Sequence, residues 1–163
     1  MSASSLFGWS EEFEIVPMTP ADCAEASIRH SEGFSRPWTD GEIEALLVQE
    51  PVFGFVARRP GKWQASGGFV LARLVEGEAE ILTLAVRPKN RRSGIGWRLM
   101  GAVLRHLRSE GAECLFLEVD EGNEAALSLY RRIGFTKVAE RAAYYDEGGG
   151  ARTAALVMRL DLG

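Results

Sequence analysis

The chain reads as a mixed α/β domain, a central mixed sheet flanked by helices, and three observations lead there. Runs rich in β-branched and aliphatic residues are interleaved with segments of helical period, in the order strand, two helices, three strands, helix, strand, helix, two strands. That order is too irregular for a repeating βαβ fold. At 163 residues, with 46% hydrophobic and 26% charged residues, the chain has the size and composition of one domain, 1–163, built around a single core.

The elements follow from local signals. "EFEIVPM" is the opening strand, and "TPADCAEASIRHSEGF" follows as a helix with Thr19 as N-cap, Pro20 at the first helical position and Asp22 in the first turn. Thr39-Asp40-Gly41-Glu42 has the form of a capping box ahead of Ile43, Leu46 and Leu47, so a second helix ends near Pro51. "VFGFVARR" and "WQASGGFVLARLV" flank the turn pair Pro60-Gly61 and predict an antiparallel hairpin. "EAEILTLAVRP" is a strand stopped by Pro88. Ile95, Leu99, Val103 and Leu107 then recur at every fourth position, with Met100 and Leu104 widening the stripe, until Gly111 stops the helix. "CLFLEV" is almost wholly apolar, as expected of a strand covered on both faces. Asn123 caps the helix "NEAALSLYRRIG", and "FTKVAERAAYY" and "RTAALVMRLDL" close the chain as strands around "DEGGGA".

Composition narrows the function classes. The net charge of −4 opposes broad attraction to nucleic acid. No apolar run reaches bilayer length, and "MSASSLFGWSEEFEIV" lacks the basic region and apolar core of a secretory signal, so a cytoplasmic protein is expected, with no membrane partner. Cys23 and Cys114 stand far apart without metal-ligand or redox spacing, which predicts buried, reduced thiols and no metal. A monomer is expected.

Positive charge nevertheless gathers at one place. Arg87, Lys89, Arg91, Arg92 and Arg98 surround "RRSGIGWRL", where the long helix begins. A helix start exposes unpaired N–H groups and the positive end of the helix dipole, and Gly94 and Gly96 lack the Cβ atoms that would hold a pyrophosphate away. A glycine turn with solvated arginines is the plainer alternative. Neither nucleotide motif fits: a Rossmann fingerprint needs a small residue where Leu99 stands, and the Gly-Lys-Ser/Thr ending of a P-loop is missing.

R-x-x-G-x-G after a strand ending "LAV" resembles the pyrophosphate loop of the GNAT acetyltransferases. "LEVDEGNEAALSLYRRIGF" is similar to the strand and helix that follow in that family. "FLEV", "N-x-A-A-x-x-L-Y-x-x-x-G-F", the upstream "F-S-R-P-W-T" and the late "YY" resemble the RimI-type ribosomal-protein alanine N-acetyltransferases. The resemblance covers most of the chain and implies the acyl-CoA N-acyltransferase fold with acetyl-CoA as co-substrate. One departure stands out: Thr153 and Ala154 occupy positions where many such enzymes carry an acidic pair.

The resemblance distributes the chemistry as follows. Leu84, Ala85 and Val86 would offer backbone groups to the pantetheine where their strand splays from its neighbour at a bulge, one N–H polarising the thioester carbonyl. Arg91, Arg92, Ser93, Gly94, Ile95, Gly96 and Trp97 would surround the pyrophosphate, with Asn123 also reaching the cofactor. Glu118, the only carboxylate within "CLFLEV", falls on the general base, and Tyr130 on the general acid. From the residues alone, Glu118 could equally be paired with an arginine at the strand end, Tyr130 could be a core aromatic, and Asn123 a cap. Phe34, Trp38, Tyr144 and Tyr145 would flank the acceptor groove, with core packing as the competing explanation. His30 and His106 have no visible partner and read as structural or solvated.

An α-amine, with an unperturbed pKa of about 7.7–8.0, needs only modest help from a base. The resemblance implies acetylation of a protein N terminus, that of alanine on a small-subunit ribosomal protein. A small-molecule amine acetyltransferase and a non-catalytic acetyl-CoA-binding module are the alternatives; possession of both Glu118 and Tyr130 argues against the second.

Overall fold

The computed structural model describes residues 13–61, 67–142 and 153–163. Its strands are β1 (Glu14–Pro17), β2 (Val52–Arg58), β3 (Gly68–Val75), β4 (Glu78–Val86), β5 (Cys114–Asp120), β6 (Thr136–Arg141) and β7 (Ala155–Asp161). Its helices are α1 (Cys23–Ser31), α2 (Asp40–Leu47), α3 (Ile95–Ser109) and α4 (Glu124–Ile133), with short 3-10 turns at Pro20–Asp22 and Pro88–Asn90. The seven strands form one sheet in the order β1-β2-β3-β4-β5-β7-β6. Only β4 and β5 pair in parallel; every other neighbour is antiparallel. The mixed α/β order read from the sequence is the order observed.

Two apolar layers sandwich the sheet. On one face, Ile95, Leu99, Met100, Val103 and Leu107 of α3 and Leu127 and Tyr130 of α4 pack with Ala57, Val70, Ala72, Leu115, Leu117, Val119, Leu156 and Met158. On the other, Cys23 and Ala26 of α1 and Ile43 of α2 pack with Val56, Phe69, Leu71 and Ala85. The second layer draws its strand residues from β2, β3 and β4 and none from β5, β6 or β7. Among the described residues that half of the face is open around the end of β5, where Glu118 and Asp120 are exposed, and along β6, while Cys114 at the start of β5 is covered. The expectation that β5 is covered on both faces is corrected here. Its apolar run hides a period of two, with Leu115, Leu117 and Val119 buried on one side and Glu118 turned away from them.

Local chemistry sets the ends of the elements. Asp22 Oδ2 accepts from the Thr19 N–H at 2.8 Å, so the first turn begins as a 3-10 step before α1. Thr39 Oγ1 accepts from the Glu42 N–H at 3.1 Å, and Asn123 Oδ1 from the Ala126 N–H at 3.2 Å. Cys23 and Cys114 are buried free thiols. Among the described residues no helix is long and apolar enough to cross a membrane, and no cluster of His, Cys, Asp and Glu could hold a metal ion.

The join of β3 to β4 depends on a missing side chain. A Cβ on Gly68 would stand 2.5 Å from the Ala85 carbonyl oxygen and 3.0 Å from the Val86 Cα, distances at which backbone has to move. We expect Gly68→Ala to lower the unfolding free energy by about 1–3 kcal/mol, the usual cost of overpacking. The measurement is urea denaturation; an unchanged midpoint would show that the two strands can separate there at no cost.

Candidate active site

The site begins with a parting of strands. β4 pairs with β5 only through Glu78–Cys114, Ala79–Leu115 and Glu80–Phe116. Beyond Glu80 the two diverge, and the cause is visible on the other edge of β4. Leu71 lies opposite Thr83 and Ala72 opposite Ile81, so Leu82 is an extra residue, a bulge that bends the strand. After it, β4 stays paired with β3 through Val86, while its other edge faces a gap. Alternate residues along Ile81–Val86 thus offer N–H and C=O groups to that gap with no strand to receive them. One residue past the bulge, the buried Thr83 Oγ1 has no hydrogen-bond partner among the described residues.

The basic segment lies at the end of β4. After the turn Pro88–Asn90, Arg92 and Gly94 both take left-handed conformations, with φ of +66° and +89°, and α3 starts at Ile95 with no side chain capping it. A Cβ on Gly94 would meet nothing within 4 Å, so its conformation accounts for the glycine. Gly96 has a different reason. Its Cβ would come within 3.2 Å of Leu129 Cδ2, so this glycine admits α4 against α3 and its absent side chain does not face the loop's ligand space alone.

The other loop residues divide their work. Ser93 Oγ is turned back onto the Asn90 carbonyl. Ile95 is buried in the core, which leaves only its backbone for a ligand. Trp97 is exposed and lies under the Arg132 guanidinium, 5.3 Å from its ring centre. Arg91 Nε donates to the Val86 carbonyl at 3.4 Å, and Arg91 Nη2 lies 3.3 Å from where a Gly33 Cβ would be. The basic loop thereby comes close to the turn that follows α1. An uncapped helix start, exposed Arg92 and an unpaired strand edge together suit a ligand with a phosphate end and a peptide-like arm.

Across the gap, Glu118 points to the open face. Its side chain is 42% exposed and lies 3.3 Å from Arg141 Nε at the end of β6. Of the two environments the sequence allows, the structure contains the arginine pair; at this exposure such a pair is worth about 0–1 kcal/mol, so an incoming group can displace it. Sequence inspection missed Arg141 because its nearness to Glu118 runs through β7, which lies between β5 and β6. Tyr130 is 7% exposed, against Phe135 at 5.7 Å between ring centres, and burial pushes its phenol up to about 12. Asn123 caps α4 through Oδ1, leaving its amide N–H groups for another acceptor.

Thr153 and Ala154 lie against the turn from β5 to α4. Asp120 accepts from Thr153 Oγ1, and Glu121 Oε1 accepts from the Ala154 N–H at 3.1 Å. Acidic partners here sit on the β5 side of this contact, so residues 153 and 154 serve as donors.

Phe34 and Trp38 lie in the connection between α1 and α2, stacked on His30 with ring centres 4.0 and 4.8 Å away. Phe34 is 42% exposed. His30 is buried, and His106 packs against Phe53 at 4.2 Å. Tyr144 and Tyr145 lie outside the described residues.

Comparison with known proteins agrees with this geometry. The profile of the Acetyltransferase (GNAT) family matches residues 22–135. A "[Ribosomal protein bS18]-alanine N-acetyltransferase" of Haemophilus influenzae is 37% identical over 91 residues, 56% of this chain and 62% of that protein. The chain thus spans less than two thirds of that relative's length. The Escherichia coli K12 protein of the same name is 32% identical over 126 residues, 77% of this chain and 82% of that protein. Among solved structures, the ribosomal-protein-S18-alanine N-acetyltransferase from Escherichia coli superimposes with a TM-score of 0.81 at 26% identity, over 92% of this chain and 94% of that one. Arabidopsis thaliana NAA60, crystallised in complex with acetyl-CoA, gives 0.78 at 19% identity over 92% and 98%, a likeness of fold. Because the family match runs from the first helix through the last, across the segment that carries the gap and the basic loop, the chain belongs to the GNAT acetyltransferases and is similar to the ribosomal-protein alanine N-acetyltransferases.

Proposed function

We propose that the protein acetylates the α-amine of a protein N terminus, taking acetyl-CoA as donor and the N-terminal alanine of a small-subunit ribosomal protein as acceptor, in the cytoplasm. The observation that carries this reading is the parting of β4 from β5 beside an uncovered stretch of sheet. The gap suits the extended arm of the donor, and the exposed sheet beside it gives an acceptor access to Glu118. The named activity of the Haemophilus and Escherichia relatives supports the same acceptor.

Acetyl-CoA supplies a thioester whose carbonyl accepts the amine. In this reading the chain's own groups do the rest. Arg92 and the N–H groups opening α3 hold the phosphates, with Arg91, Ser93, Gly94, Ile95, Gly96 and Trp97 shaping the loop and Asn123 at the far wall. Backbone groups of Leu84, Ala85 and Val86 align the arm, and one N–H stabilises the charge that develops on the carbonyl oxygen. Glu118 receives the proton of the ammonium group, giving up its contact with Arg141. As the C–N bond forms and the C–S bond breaks, Tyr130 donates a hydrogen bond to the departing sulfur. A phenol near 12 is a weaker acid than an ordinary thiol near about 8.5. Full transfer of its proton is uphill in the apo site, so its main service is to stabilise the thiolate, and it stays protonated at every working pH. Phe34 and Trp38 wall the acceptor groove, with Tyr144 and Tyr145 as further groove residues.

Three outcomes are expected. Acetyl-CoA raises the melting temperature of the wild type, and Arg92→Glu removes most of that shift; equal shifts in both proteins contradict the phosphate site. A peptide beginning with alanine is acetylated on its α-amine, located by mass spectrometry, much faster than the same peptide with a blocked N terminus and a free lysine. Preferential modification of lysine or a polyamine overturns the acceptor. Finally, Glu118→Gln and Tyr130→Phe each lower turnover by roughly 10²–10⁴-fold while cofactor affinity stays nearly constant. Raising the pH partly rescues Glu118→Gln, because more amine is already neutral, and fails to rescue Tyr130→Phe. Full activity in both variants would return the two residues to a packing role.

A further inference from the structure

His30 combines features that packing alone does not require. It is 2% exposed, near the end of α1, and its ring is within 7° of parallel to Phe34 and 14° of parallel to Trp38. Two parallel rings this close to one imidazole face would overlap each other, so the imidazole lies between them. The Trp38 backbone N–H donates to His30 Nδ1 at 3.0 Å, and Ser27 Oγ donates to the Trp38 carbonyl at 2.8 Å. One histidine thus fixes the ring of Phe34 by stacking, and Trp38 by both stacking and a backbone hydrogen bond.

We propose that His30 is a positioning residue for the acceptor: its neutral ring, with the proton on Nε2, holds Phe34 and Trp38 in place as walls of the acceptor groove. This rests on the reading of those two rings given above. Nδ1 can accept from Trp38 only while it carries no proton; protonation turns the acceptor into a donor facing an N–H and opens the clamp. Burial lowers the pKa of His30 below its usual 6.5, while the Glu42 carboxylate of α2 acts in the opposite direction. Arg29, the other charge nearby on α1, is paired with Glu25 and Glu32, and β3 contributes the uncharged ring of Phe69 at 6.4 Å.

The sign of the effect follows. A histidine whose folded pKa is depressed contributes stability that is fully present above the unfolded value and is lost as pH falls from there through the folded value. The clamp is therefore closed near neutrality and loosens below 6.5. Acceptor binding should share this dependence, whereas donor binding, which uses the free edge of β4 and the start of α3 and neither of the two clamped rings, should not.

The test uses the full-length enzyme with an alanine-initiated peptide. His30→Leu, which removes the acceptor atom and the stack, should raise the peptide KM about tenfold, the size expected for one hydrogen bond and one ring contact, with the KM for acetyl-CoA within about twofold of wild type. His30→Asn places Oδ1 near the position of Nδ1 and does not titrate, so it should restore most of the peptide affinity. The ratio of wild-type to His30→Asn peptide KM cancels protonation of the peptide amine, and it should rise as pH falls below 6.5. A flat ratio together with an unchanged peptide KM in His30→Leu overturns the proposal while leaving N-terminal acetylation intact. Failure of the wild type to acetylate any N-terminal peptide overturns the underlying reading instead. Should the variants fail to fold, NMR titration of the His30 ring in the wild type decides: saturating peptide must lower its apparent pKa, because binding and deprotonation are reciprocal, and no change overturns the clamp.

Discussion

The structure depends on a strand that cannot stay paired. β4 meets β5 for three residues and then departs, because Leu82 is one residue too many for its partner β3. Unpaired backbone groups inside a protein are costly unless something hydrogen-bonds to them. A sheet that keeps such an edge open, with a complete apolar layer on one face and a partial one on the other, is prepared for an extended ligand. The bulge has a second consequence. It changes which faces the side chains of β4 occupy, so Ile81 packs with the α3 layer while Ala85 packs with the α1 and α2 layer.

Charge is arranged around this gap with economy. The protein as a whole is acidic, yet the loop leaving β4 concentrates arginines beside a helix start that has no side-chain cap. A surplus of negative charge elsewhere does not weaken a local cradle of this kind at physiological salt, since screening acts within about 8 Å. The two candidate proton-handling groups are placed oppositely. Glu118 is half exposed on the open face, available to an amine and only loosely held by Arg141, whereas Tyr130 is buried on the α3 side with its proton firmly kept. Arg91 brings the donor loop close to the turn at Gly33, one residue before Phe34.

Most of the fold was legible because local signals and burial agree. The stripe of Ile95, Leu99, Val103 and Leu107 is buried throughout, and Thr39 and Asn123 cap the helices they were expected to cap. What local signals could not show is long-range register. "EILTLAV" is apolar at every position after Glu80 except Thr83 and so carries no alternation that would mark a register, and the bulge at Leu82 emerges only when β3 is laid beside it. β7 inserts between β5 and β6, and only that insertion brings Arg141 to Glu118. Gly96 was attributed to a ligand's approach when Leu129 on a later helix also demands it. His30 looked partnerless because its partners lie four and eight positions ahead in a connection with no helical or strand period.

The central claim is that the free edge of β4 and the start of α3 are filled together by one donor. Amide hydrogen exchange with and without acetyl-CoA tests it directly. Protection should rise at alternate amides within Ile81–Val86 and at the first amides of α3, from Ile95 through Trp97, while β1 and β2 remain unchanged. Binding that stabilises the protein without protecting either segment would contradict the account.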